Sequence, residues 1–435
     1  MPFKILHTAD LHLGQILYNY YDRVDEHDHF FAQLVQWCEQ YSPDALIVSG
    51  DVFDIQQPSA ATKEHFNRTF VGLHRRFPHI AIVVTAGNHD SASRLEADSP
   101  VWGLSGVTLV GHAPANDAVL EGNPDAMDRY IVELPQGFIV AVPFMTTSRP
   151  AVLQALLDRV AERNSDCRPV VMTGHLAVSG GDFTGHGEVG TIKTVDANQM
   201  GHGFDYLALG HIHRPQTLGY PLNDEYTLGT EATSAATALL GTEATSPATP
   251  QPHHTYPSGI MRYSGSPLHV SCDEAYPHSV SLVDIDRHGG TVGLRRLRVD
   301  ELRHFYTLPE AGAPPASSFE EVMQQVNDFC RSHERGYIRL RIDYGTPLPP
   351  DFAQAVYTRL EATGNEVRFN PKTIWENIND SGAEAKSLKF EVAELQQMTD
   401  PMDFIRRTAN LFPEFDIEEL EADFDEIKKE LLCVS

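Results

Sequence analysis

Five short polar pieces, spread from residue 10 to residue 213, each stand just after a short apolar run, and this recurrence most restricts how the 435-residue chain can fold. Asp10-Leu11-His12 follows the run 3–6, Gly50-Asp51-Val52-Phe53-Asp54 follows 45–48, and Gly87-Asn88-His89-Asp90 follows 80–85. Gly174-His175 and Gly210-His211-Ile212-His213 follow 170–172 and 206–209. Further runs at 107–110 and 138–142 extend the series, with helix-length amphipathic segments such as 24–40 between them. Strands alternating with helices predict a layered α/β domain, in which polar residues just beyond the strand ends converge. The glycines before Asp51, Asn88, His175 and His211 are expected to turn the chain sharply as it leaves each strand.

Any one of these pieces is weak evidence, since a histidine after a strand is usually a hydrogen-bonded structural residue; five matched pieces reverse that weighting. Imidazole and carboxylate groups without thiolates suit Mn²⁺, Fe²⁺ or Zn²⁺, and a shared aspartate can hold two such ions about 3.5–4 Å apart. The inventory therefore fits a dinuclear centre. Two divalent ions activate water and stabilise a phosphoryl transition state without a protein nucleophile, which makes phosphoester hydrolysis the natural reaction class.

The rest of the chain divides by composition. Residues 222–258 turn rich in Thr, Ala, Ser, Gly and Pro and repeat Gly-Thr-Glu-Ala-Thr-Ser at 229–234 and 241–246, which is expected to be a flexible surface insertion with His253 and His254 solvated. Strand-like runs resume at 261–264, 279–285 and 292–299, placing a first domain over 1–299. A helix at 319–332, a strand at 337–342, a helix at 351–362 and a strand at 366–369 predict a small α+β domain over 300–380. Residues 390–435 form an acidic tail in which Ile417, Leu420, Phe424, Ile427 and Leu431 make one narrow helical stripe, suited equally to its own domain or to a partner's helix.

The formal charge of −27 excludes attraction of polyanions by the bulk field of the chain, and −9 of it lies in the last 45 residues. The five cysteines, Cys38, Cys167, Cys272, Cys330 and Cys433, are scattered and odd in number, which argues against a disulfide framework or a thiolate zinc site. With neither a charged apolar leader nor an apolar run near membrane length, the expectation is a cytoplasmic protein without membrane contact.

The sequences Ile5 to Gln15, Val48 to Asp54, Ala86 to Ser91 and Ala208 to Arg214 resemble the calcineurin-like metallophosphoesterases, and among them the SbcCD-type double-strand-break repair nucleases. Tyr263 to Pro267 and Cys272-Asp273-Glu274 continue the resemblance beyond the histidine motifs. It implies a four-layer α/β fold, a β-sandwich flanked by helices, followed by the smaller α+β domain as a cap and by C-terminal helices. Carried over residue by residue, it implies that Asp10, His12 and His213 bind one ion, that Asn88, His175 and His211 bind the other, and that Asp51 bridges them. His89 would assist departure of the 3′ oxygen, as an imidazole can near neutral pH, with Asp90 orienting it. Relatives carry a histidine at the position of Asp54, so the resemblance gives Asp54 a supporting role; Arg94 is expected in a surface salt bridge rather than on a phosphate.

The implied activity is that of a Mn²⁺-dependent nuclease subunit, a 3′ to 5′ exonuclease on duplex ends and an endonuclease on single strands and hairpins, serving DNA repair, recombination and replication. The implied partners are DNA, a second copy of the chain and an SbcC-like coiled-coil ATPase bound through the tail. The same metal chemistry also serves phosphatases and cyclic-nucleotide phosphodiesterases, which the ligand set alone does not exclude. A non-catalytic scaffold that binds the ATPase is disfavoured by the complete ligand set.

Overall fold

The strand-forming runs are continuously apolar because both of their faces are covered. In Ala45–Ser49, Ala45 and Ile47 face one core while Leu46 and Val48 face another, and Ile5 and Leu6 divide in the same way in Phe3–Thr8. A computed structural model describes residues 2–183, 194–220, 225–229, 259–274, 276–310 and 312–376.

In chain order the main elements begin with β1 (Phe3–Thr8), α1 (Val24–Tyr41), β2 (Ala45–Ser49), α2 (Ala60–Arg76), β3 (Ala81–Thr85), β4 (Val107–Val110), β5 (Ile131–Glu133) and β6 (Phe138–Val140). They continue with α3 (Pro150–Arg163), β7 (Val170–His175), β8 (Tyr206–Gly210), β9 (Gln216–Thr217), β10 (Glu225–Gly229), β11 (Ile260–Tyr263), β12 (Ser279–Ile285) and β13 (Thr291–Arg298). One sheet runs β10-β13-β12-β1-β2-β3-β4, parallel from β1 to β4 and antiparallel beyond β1. The other runs β9-β11-β8-β7-β6-β5, parallel from β11 to β6. Phe30, Phe31, Phe66 and Phe70 of α1 and α2 cover the first sheet, Leu153 and Leu156 of α3 join the core of the second, and the two sheets pack together in the middle. These are the four layers of the expected α/β fold.

Residues 305–376 add a three-stranded parallel sheet of β14 (Phe305–Leu308), β15 (Arg335–Asp343) and β16 (Glu366–Glu376), with α4 (Phe319–Ser332) and α5 (Phe352–Thr363). Its own core is formed by Val322, Val326, Phe329, Ile338, Leu340, Val356, Leu360 and Phe369. Helix α4 begins where Ser318 Oγ accepts from the Glu321 amide and the Glu321 carboxylate accepts from Ser317, a reciprocal cap. Strand β16 outruns the expected end at 369: a bulge opposite Arg339–Arg341 carries it past Pro371, which an edge strand tolerates because it need not donate.

Two expectations need adjustment or fall elsewhere. The segment 222–258 is not loop from its start, because Glu225–Gly229, with its β-favouring Tyr-Thr-Leu, pairs with β13 at the sheet edge. The rest of that segment, including His253 and His254, and the tail stripe from Ile417 to Leu431 lie outside the described residues. Among the described residues no helix is long and apolar enough to cross a membrane.

Met1–Asn377 form one compact unit, and a buried charge network ties the small sheet to the large domain. Glu26, 2% exposed on α1, accepts from Arg23 Nε at 2.9 Å, from Arg368 Nη1 at 3.0 Å and from the Tyr337 hydroxyl at 2.6 Å, with Arg303 Nη1 at 3.5 Å. Removing one member of such a network leaves buried charge uncompensated. Glu26→Ala is therefore expected to lower unfolding free energy by about 3–5 kcal/mol in urea titrations. Arg76→Ala, which breaks an exposed pair with Glu39, should cost under about 1 kcal/mol.

Candidate metal centre

The carboxyl ends of β1, β2, β3, β7 and β8 meet, and the loops leaving them are laced together through their backbones. Asp10 N donates to the Gly50 carbonyl and His12 N to the Asp51 carbonyl, each at 3.0 Å. Asp51 Oδ1 accepts from the His89 amide at 2.8 Å and Asp10 Oδ1 from the His211 amide at 2.9 Å. One oxygen of each carboxylate thus pins a neighbouring loop, and the other faces the centre.

Around those free oxygens the structure assembles two groups, Asp10-His12-His213 and Asp51-His175-His211, whose ligand atoms in each case lie within 4.8 Å of one another. Asn88 Oδ1 joins the second group, 2.9 Å from His211 Nδ1 and 3.1 Å from His175 Nε2. Asp51 Oδ2 lies between the groups, 3.2 Å from His175 Nε2 and 3.9 Å from His12 Nε2. All seven residues expected as ligands are therefore brought together, with Asp51 in the shared position.

The far nitrogens are held as well. His12 Nδ1 donates to Asp54 Oδ1 at 3.2 Å, His175 Nδ1 to the Ser49 carbonyl at 2.8 Å, and His213 Nδ1 to Glu274 Oε1 at 2.7 Å. Each such bond fixes the orientation of its ring and turns Nε2 toward the centre. Glu274, 1% exposed, is a residue to which sequence reasoning gives no role; its only signal is its place in the Cys272-Asp273-Glu274 stretch. Tyr263 of β11 similarly steadies the chain after His175, its hydroxyl donating to the Leu176 carbonyl and accepting from Val178 N.

Turning falls to the functional residues themselves more than to the glycines before them. Asp10, His12, Asp51 and His211 all have positive φ, of 53°, 45°, 45° and 88°, a strain of order 1–3 kcal/mol each that clusters at functional sites. Of the four preceding glycines only Gly50 is left-handed; Gly87 is needed for room, since a Cβ there would lie 2.1 Å from Asp51 Oδ1.

The residues suit divalent cations. Asp10 Oδ2 and His12 Nε2 are buried with no hydrogen-bond partner, which is costly unless something electropositive meets them. Burial raises the Asp10 carboxyl above its usual range and lowers His213 to about 4. Burial also opposes charge on Asp51 and His175, but their mutual attraction outweighs it, holding Asp51 below the usual carboxylate range and His175 up to about 9.

Two expectations are corrected. Asp90 does not orient His89: its carboxylate accepts the amides of Val52, Phe53 and Gly87 at 2.8–3.0 Å and so holds the Asp51 and Asn88 loops. The ring of His89, exposed at the mouth of the centre, donates from Nδ1 to the Asp54 carbonyl at 2.8 Å. Arg94 is exposed and, among the described residues, forms no ion pair; Glu96, two residues on along its short helix, faces away from it and pairs with Arg129 and His112.

Known proteins resemble this chain over much of its length. Residues 3–215 match the calcineurin-like phosphoesterase family model, a span that contains all seven expected ligands. The SbcD component of the SbcCD nuclease of Rhodobacter capsulatus is 28% identical over 375 residues, covering 78% of this chain and 80% of that protein. Its Escherichia coli counterpart is 34% identical over 233 residues, 50% of this chain and 57% of that protein. Among solved structures, Pseudomonas putida nuclease MPE aligns over 40% of this chain and 63% of its own, with 16% identity and a TM-score of 0.21.

The reassignment of Asp90 makes a stability prediction. In chelator-treated protein, Asp90→Ala leaves three buried amides without an acceptor and should cost at least about 3 kcal/mol by urea unfolding. His89→Ala, at an exposed site, should stay within about 0.5 kcal/mol of the parent.

Proposed function

This chain belongs to the calcineurin-like phosphoesterase family, in its SbcD branch, and from that premise we propose that it is the metal-dependent DNA nuclease subunit of an SbcCD-like complex. The observation that carries the reading is the pair of buried nitrogen and oxygen clusters sharing one oxygen of Asp51. Asp10, His12 and His213 would hold one divalent ion, Asn88, His175 and His211 the other, and Asp51 both. When bound, such ions supply Lewis acidity that activates water and neutralises charge on the phosphoryl group.

The remaining work is done by the chain's own groups. The Asp54 and Glu274 carboxylates and the Ser49 backbone carbonyl keep three imidazoles turned inward, so that no reorientation is needed as charge develops. His89 stands at the open side, where an incoming strand reaches it, and would deliver a proton to the departing 3′ oxygen. Mn²⁺ suits the mixed imidazole, carboxylate and amide set, with Fe²⁺ and Zn²⁺ sharing the same ligand preferences. The substrates would be duplex ends, cut 3′ to 5′ with an ATP-driven partner, and single strands and hairpins, cut without it. With a formal charge of −27, the isolated chain gains little from counterion release, so duplex affinity would come from that coiled-coil ATPase, bound by residues 390–435, and from a second copy of the chain.

The test offers the full chain, with Mn²⁺, a labelled DNA hairpin and a small phosphoester. Hairpin cleavage is expected, lost together with bound metal in Asp51→Ala; in His89→Ala it should fall about 10²–10⁴-fold with metal content unchanged. Hydrolysis of the small ester alone would transfer the chain to the phosphatases.

Loading should also depend on pH. Because Asp51 holds the His175 proton up to about 9 in the metal-free centre, a cation must displace that proton at neutral pH. Mn²⁺ affinity should therefore weaken by up to about tenfold per unit as pH falls from 8 to 6, with proton release measurable by titration calorimetry in buffers of different ionisation heat. An affinity independent of pH would remove His175 from the ligand set.

A further inference from the structure

A second, separate group of metal-capable side chains lies where the loop carrying Glu274 meets the connection to the small sheet. Ring nitrogens of His269 and His278 and a carboxylate oxygen of Glu301 all lie within 4.8 Å of one another. His278 is fully buried; its Nδ1 donates to the Ser266 carbonyl at 2.7 Å, and its Nε2 is buried with no hydrogen-bond partner. That nitrogen lies 3.6 Å from Glu274 Oε2, the His278 ring packs on that of His269 with centroids 4.1 Å apart, and His269 Nδ1 lies 3.4 Å from Glu301 Oε2. We propose that His269, His278 and Glu301 form a third metal site, distinct from the dinuclear centre, which takes a single divalent transition ion such as Zn²⁺ in a structural role.

The chemistry of the donors selects the ion. Two imidazoles and one carboxylate are a donor set used for zinc, whereas Ca²⁺ and Mg²⁺ favour all-oxygen shells. The Ser266 carbonyl sets the His278 tautomer as an outer partner does for a zinc-bound histidine, leaving Nε2 as the lone-pair donor. Burial keeps both imidazoles in their neutral, ligating form, His269 at about 2 and His278 at about 4, and raises Glu301 to about 7, a carboxylate short of positive charge. The nearby cation, Arg23, is committed to Glu26 and to the His269 carbonyl.

Entry and a fourth ligand are also at hand. Glu301 and His304 line an open cavity of about 520 Å³, and His304 Nδ1 lies 3.4 Å from Glu301 Oε2. An ion arriving through that cavity meets Glu301 first and finds His304 or water for its remaining position. The donor atoms already lie within 4.8 Å of one another, and the bound ion would draw them into a tetrahedral shell with metal–ligand bonds of about 2.0–2.2 Å. The bound ion would clamp the 264–278 loop, and with it Glu274 behind His213, to the connection between β13 and β14.

The experiment measures zinc per chain and melting temperature in full-length protein whose dinuclear centre is disabled by Asp10→Ala and Asp51→Ala. One zinc ion per chain should survive dialysis, and zinc at about a hundred times its Kd should raise the melting temperature by roughly 3–5 °C. Adding His269→Asn or Glu301→Gln should abolish both the retained ion and the shift. Glu301→Gln preserves shape, so it decides the matter if His269→Asn fails to fold. No retained zinc in the disabled protein, or equal zinc after Glu301→Gln, overturns the proposal; neither result touches the Mn²⁺-dependent cleavage that tests the dinuclear centre.

Discussion

Taking the Asp51 carboxylate out of water costs several kcal/mol unless compensating charge and hydrogen bonds surround it. The chain meets that cost from several directions at once. His89 N binds Oδ1, while Oδ2 faces His175 and, at longer range, His12. Those contacts come from loops after β1, β3 and β7, so the charge is stable only when both sheets are assembled. The burial that makes Asp51 costly also makes it a strong ligand in a weakly screening environment. Its neighbours Asp10 and His12 go further and keep buried polar atoms unpartnered, an arrangement that spends folding energy on a cation.

The architecture explains how scattered residues reach one place. Parallel strands must run in the same direction, so all their carboxyl ends fall on one edge, and here two sheets present that edge together. The strands position the loops to within a residue, but aiming each side chain inward requires backbone in the left-handed region at Asp10, His12, Asp51 and His211. Asp90 and Tyr263 then hold the loops by accepting or donating backbone hydrogen bonds, which keeps that strain from relaxing.

Much of this is legible from residue order alone. The β2 run at 45–48, the α4 helix at 319–332 and the convergence of the five polar pieces follow from apolar continuity and from polar residues just beyond it, both local signals, whereas the choice of seven residues among those pieces comes from the family resemblance. What escapes depends on non-local contacts. Asp90 stands beside His89 in sequence, yet its carboxylate turns back to Val52 and Phe53 across the adjacent loop, and no spacing rule reveals the direction of a turn. Glu274 lies 61 residues from His213, and the pairing of β11 with β8 and β9 brings the two segments together. Strand β16 runs past the expected end at Phe369 and through Pro371, which would interrupt a central strand but is tolerated at its edge position.

The small sheet is joined to the ligands by the same hydrogen bonds that hold it in place. Tyr337, Arg303 and Arg368 reach Glu26, Glu26 binds Arg23, and Arg23 donates to Gln15 Oε1 at 2.7 Å and to the His269 carbonyl. Gln15 N in turn donates to the His12 carbonyl at 3.0 Å, and Gln15 Nε2 reaches the Val270 carbonyl at 3.3 Å, in the loop whose Glu274 supports His213. Displacing the small sheet would separate Glu26 from three of the donors that compensate its buried charge. Such a displacement either breaks the Glu26 network or moves the backbone behind His12 and His213, two residues of one candidate metal group. Buried hydrogen bonds thus link the small sheet to the backbone at His12 and to the loop whose Glu274 supports His213, whereas His175 is held by the Ser49 carbonyl at the end of β2 and by Asn88.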